Sequence, residues 1–129
     1  MRAYIAGLIV ADAQLIALGI NVDSLISGDI DSPSARPFMV LRWGATVPGL
    51  SVVNKRLLTA WTHHDPGNAS VIDAINLRLR TVLEAVAGVQ TETGWITEVK
   101  WTGESDDLPD DGNDTITRQS NFTLVASGV

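Results

Sequence analysis

Apolar side chains fall on a helical period along the first eighteen residues. Tyr4, Leu8, Ala11, Leu15 and Leu18 recur at spacings of four, three, four and three, which aligns them on one helix face. Ile5, Ile9 and Ile16 form a second apolar face, interrupted by Asp12. The pattern predicts one helix over residues 2–18, closed by Gly19 in the left-handed position that often ends helices. A helix apolar nearly all round must be covered on most sides. One side is expected on the protein's own sheet and the other against a second chain.

The second helical pattern is cleaner. Ile72, Ile75, Leu79, Val82 and Val86 repeat at three, four, three and four, with Asp73, Asn76, Arg80 and Glu84 opposite. Gly88 is expected to stop this helix, and Arg80 and Glu84 stand where an i, i+4 pair forms. Leu77 is left over, an apolar residue near the polar side. Strands are expected at 22–26, at 38–43 ("FMVLRW") and at 51–62, the last bent because its alternation is imperfect. "GATVPG" is expected to end the second of these, and the Gly-, Asp-, Ser- and Pro-rich stretch 27–37 reads as a loop. "GWITEVKWT" alternates, with Trp95, Val99 and Trp101 on one face and Glu98 and Lys100 on the other. The last strand, 115–127, points Ile116, Phe122, Leu124 and Ala126 one way. Strands joined without intervening helices favour antiparallel pairing. The expected fold is α+β, a mainly antiparallel sheet of four to five strands with two helices packed on one face, in a single domain over 1–129.

Composition narrows the chemistry. Fifteen acidic against nine basic residues give a net charge of −6, which argues against binding that tracks nucleic-acid phosphates. With no cysteine, disulfides, thiol nucleophiles and Cys-ligated zinc are excluded. Arg2, the apolar run 3–11 and Ala11-Asp12-Ala13 imitate a secretory signal. The apolar period resumes beyond that point, however, so a structural helix is expected. Asp12 also keeps the run well short of the roughly 20 residues of a membrane span.

"WTHHDPGNASVID", residues 61–73, holds the only two histidines. Neighbours in a strand point to opposite faces, so His63 and His64 do not converge on one ion. Nor is there a third or fourth ligand for zinc. Beside Asp65 a histidine could orient a serine, but no G-x-S-x-G pattern occurs. Asp-Pro-Gly is turn chemistry. Asn68 or Ser70 can cap the helix, with Asp73 closing a Ser-x-x-Asp box. The expectation is therefore a structural corner, no enzyme, no metal and no cofactor.

Asp106, Asp107, Asp110, Asp111 and Asp114 crowd a loop at 103–114. They lack the order of an EF-hand loop, and a solvated loop is expected. Asn-x-Ser/Thr sequons stand at Asn68, Asn113 and Asn121, and without a secretory signal they carry no information.

Several segments share a family's pattern. "KRLLTAWTHHDPG" runs into an "ID-I" helix, "ITEVKWTGESDDL" follows, and the chain closes with "TITR" and "NFTLVA". These motifs, strongest over 57–73 and 95–118, resemble the small tail terminator (tail completion) proteins of long-tailed bacteriophages, especially those of actinobacteria. The stretch 27–36 has no counterpart in that pattern. The resemblance implies a hexameric ring that caps the finished tail tube, ends its polymerisation and joins it to the head connector or neck, with DNA passing through unbound. It implies assembly in the host cytoplasm, a place in the virion and no membrane. Such a ring needs two different sticky patches per subunit. Tyr4, Ile5, Ile9 and Ile16 on the first helix and Leu77 and Arg80 on the second are the candidate subunit contacts. Asp106, Asp107, Asp110 and Asp111 are the candidate acidic residues facing the lumen or a partner. The alternatives are another neck or minor tail subunit (a stopper or connector), a secreted small-ligand-binding domain, and a hydrolase using His63 or His64.

Overall fold

The computed structural model describes residues 1–27, 36–48 and 54–127. Along the chain run α1 (Arg2–Ala11), α2 (Ala13–Ala17), β1 (Leu25–Ser27), β2 (Phe38–Pro48) and β3 (Asn54–His64). After these come α3 (Ala69–Glu84), β4 (Ala87–Gln90), β5 (Trp95–Glu104), β6 (Leu108–Asp110) and β7 (Thr115–Ser127). The loop expected at 27–37 and the start of the third expected strand lie largely outside the described residues.

The fold is the expected α+β class, with a larger sheet. Seven strands run in the order β1-β2-β3-β7-β5-β4, and β6 also pairs with β7. All pairings are antiparallel except β1 with β2. β4 and β6, of four and three residues, are too short to show a period in sequence. Gly88 ends no helix: α3 closes at Glu84, and Gly88 lies inside β4 at φ +63°, beneath the Trp95 ring. "GATVP" does not end β2 either. The strand continues to Pro48 through a register shift between Trp43 and Thr46.

The first helix is two helices. Asp12 leaves the helical conformation, at φ −76° and ψ 118°, and its carboxylate accepts from the Leu15 amide at 3.0 Å. It is therefore the N-cap of α2. The break shifts the helical phase. The core takes Ile5 and Ile9 from the face expected to be secondary, then Leu15 from the primary one. Gly19 closes α2 at φ +102°, and the Ile20 amide bonds back to the Leu15 carbonyl.

The helices cover one face of the sheet. Ile5, Ile9, Leu15, Ile75, Leu79 and Leu83 meet Met39, Leu41, Leu58, Ala60, Phe122 and Leu124 in a single core. Asn76, expected on the solvent side of α3, is buried and accepts from Thr62 Oγ1 at 2.8 Å. In β5 a bulge between Ile96 and Glu98 inserts one residue. Such an insertion changes which face the following side chains take. Ile96 and Val99 both reach the core, whereas Trp95 is 43 % exposed and does not share the face of Val99 and Trp101.

Candidate subunit-contact surfaces

The corner at 61–73 joins the end of β3 to the start of α3. His63 and His64 alternate across β3. The buried His63 ring stacks on Phe38, with centroids 4.4 Å apart and an interplanar angle of 9°. Its Nδ1 lies 3.0 Å from Thr115 Oγ1 and 3.4 Å from Asp110. Burial lowers the pKa of His63; the Asp110 charge opposes that and Arg36 adds to it. His64 Nδ1 accepts from the Asp65 amide at 2.7 Å. The capping box does not form. Asn68 is the N-cap without a side-chain bond, and Asp73 turns to Arg118. Among the described residues no group of three His, Asp or Glu side chains is placed to hold a metal ion.

Arg118 anchors the acidic segment. Its guanidinium holds Asp73, donates to Asp107 through Nε at 2.9 Å and Nη2 at 2.6 Å, and lies 3.7 Å from Glu104. Burial works against its charge, but the bonds to Asp73 and Asp107 outweigh that and raise its pKa. Sequence reading did not single out this residue. Its partners come from α3, β5 and the segment after β5, and no local spacing links them.

Beside Arg118, the face of α3 carrying Asp73, Leu77 and Arg80 borders β5. With Trp101, Glu104, Ser105 and Asp106 it lines an open depression of about 450 Å³. The Arg80 guanidinium lies 4.1 Å from the centre of the Trp101 ring and bonds Glu84 at 2.7 Å, so the expected i, i+4 pair is made. That bond holds the Glu84 carboxyl below its ordinary value. Leu77 stands out of this floor at 67 % exposure. Covering a leucine fully stabilises by about 2 kcal/mol. The structure thus brings together Leu77, Arg80 and Asp106, residues chosen separately in sequence.

The other helix candidates divide. Ile5 and Ile9 are wholly buried in this chain's own core, so neither offers surface to a second chain. Tyr4 is half-buried against that core. Ile16 is 46 % exposed, and Val22, in the turn leading to β1, is 74 % exposed. Three strands separate β1 from β5 in the sheet order, roughly 19 Å at the usual strand spacing. Val22, just before β1, and the Leu77 depression beside β5 therefore lie on different flanks, whereas Ile16 belongs to α2, which packs on α3.

The acidic candidates also divide, because 108–110 is strand β6 and not open loop. Asp106 borders the depression, and Asp107 is bound to Arg118. Asp110 and Asp111 rim a separate cleft of about 500 Å³ on the sheet face away from the helices, floored by Phe38, Val40, Trp61 and Thr117. The Asn113 side chain bonds Asp110 at 2.8 Å and is the main cause that lowers its pKa.

The fold is α+β, a mainly antiparallel sheet with helices on one face. No protein-family model matches the sequence, and no curated protein matches it. Among solved structures, a chain from "Virion of native gene transfer agent (GTA) particle" has the same fold. The two superpose with a TM-score of 0.77 over 96 % of this chain and 92 % of that one, at 14 % sequence identity.

Proposed function

We propose that this chain is a structural virion protein, one subunit of a hexameric ring that caps a bacteriophage tail tube. The ring ends tube polymerisation on one annular face and joins the head connector on the other. The observation that carries the reading is the likeness to a chain of a virion particle, which extends over nearly the whole of both chains. The motifs at 57–73 and 95–118 support the tail-capping role within that class. Exposed apolar groups at Val22 and at the Leu77 depression, on different flanks, suit the head-to-tail contacts of a ring. A net charge of −6 suits a conduit from which DNA must be released. In this reading the chain carries no chemistry of its own, and His63 serves the packing of the sheet. Another neck or minor tail subunit accords with the same fold likeness.

Omitting the protein from assembling particles tests the role. Tails of uneven length, and heads with no tail attached, are expected. Tails of normal length firmly joined to heads would overturn the capping role.

A further inference from the structure

The described basic residues are unevenly satisfied. Arg36, Arg78, Arg80, Lys100 and Arg118 each hold a carboxylate, and Arg42 is engaged as well. Arg2, Lys55 and Arg56 hold none among the described residues, and all three gather at one end of the sheet. Lys55 and Arg56 open β3. The guanidinium groups of Arg2 and Arg56 lie 5.8 and 5.2 Å from the centre of the same Trp43 ring. Arg56 Nε and Trp43 Nε1 are both buried without a hydrogen-bond partner.

The opposite end of the sheet carries the complement. The carboxylates of Asp106, Asp111 and Asp114 hold no cation among the described residues, although Arg36 donates to the Asp114 main-chain carbonyl at 2.9 Å. They lie on the segment that leads into β7, whose first residues pair with the far end of β3. β3 has eleven residues, so the two ends are roughly 35 Å apart at the rise of a strand.

We infer that the cationic end around Arg2, Lys55 and Arg56 docks the Asp106–Asp114 end of a second copy of this chain. The contact joins two different surfaces, so it passes from copy to copy and closes into a ring where the rotation between copies closes. Charge complementarity would set its register and speed its formation. The inference rests on the ring reading and names the charged contact within it.

The test is a charge swap read by analytical ultracentrifugation at low and high salt. The paired change Arg2→Glu with Lys55→Glu alters two exposed positions, and Asp106→Lys with Asp111→Lys alters the other end. Thermal melts confirm that each variant folds. Each pair alone is expected to weaken assembly at least tenfold, and an equimolar mixture or the fourfold variant to restore it. High salt is expected to weaken the wild-type assembly. An assembly unmoved by either pair would overturn this contact and leave the ring reading standing. A wild-type protein that stays monomeric throughout would overturn both. If the wild type bound short duplex DNA, and Arg2→Glu with Lys55→Glu abolished that binding without changing the assembly, the cations would serve nucleic acid and the inference would fall.

Discussion

His63 shows how one residue's meaning depends on its surroundings. In sequence it stands beside a second histidine and an aspartate. In the fold it is buried, stacked on Phe38 and bonded to Thr115. Its lowered pKa, caused first by burial, means that the folded protein holds it neutral where the unfolded chain begins to bind a proton. Its contribution to stability is complete above the ordinary histidine value near 6.5 and is lost as the pH falls through the lowered folded value. Urea midpoints measured from pH 7.5 down to 4.5 should fall on the acid side. His63→Phe should flatten the part of that slope near and below pH 6.5. A variant with the same slope as the wild type would show that His63 does not titrate on unfolding. The alternation of His63 and His64 was legible from strand geometry alone. The Phe38 stack and the engagement of Arg118 with three carboxylates were not, because they join residues far apart in the chain.

At the scale of elements, Asp12 decides the form of the N-terminal region. The carboxylate that interrupts an apolar face in sequence is the cap of α2. It also receives both Nε and Nη2 of Arg78 from α3, at 3.0 and 2.7 Å. Those bonds, the largest influence on the group, hold its carboxyl below the ordinary value. One residue thus breaks the helix, restarts it and ties it to α3. Asp12→Ala removes both the cap and the partner of Arg78, and should cost about 2 kcal/mol in denaturant unfolding. Asp12→Asn keeps an acceptor for the Leu15 amide and should cost less than Asp12→Ala. Equal losses would mean that the cap contributes little. The helical period of α3 and the alternation of β7 were readable because each is long and has one buried face. The rest was not, for physical reasons. The β5 bulge reverses which residues face the core, and β4 and β6 exist only through the neighbours they pair with. The break at Asp12 shifts the helical phase, so that the core takes Leu15 after Ile9 and leaves Ile16 exposed.

At the scale of the molecule, the question is what covers the surfaces left open. Ile5 and Ile9, apolar in sequence, are used by the chain's own core. Leu77, Ile16 and Val22 are not. The α+β class was legible from the order of helices and strands. The position of the candidate contact surfaces was not, because the Leu77 depression is assembled from α3, β5 and β7 together. In the proposed reading, the exposed apolar groups and the two oppositely charged ends serve contact with further copies of this chain. The solution mass of the full chain, measured by sedimentation alone and with the tail-tube protein, tests this most directly. A discrete closed assembly of several copies, formed alone or on the tube, is the result expected. A strict monomer under both conditions would contradict it.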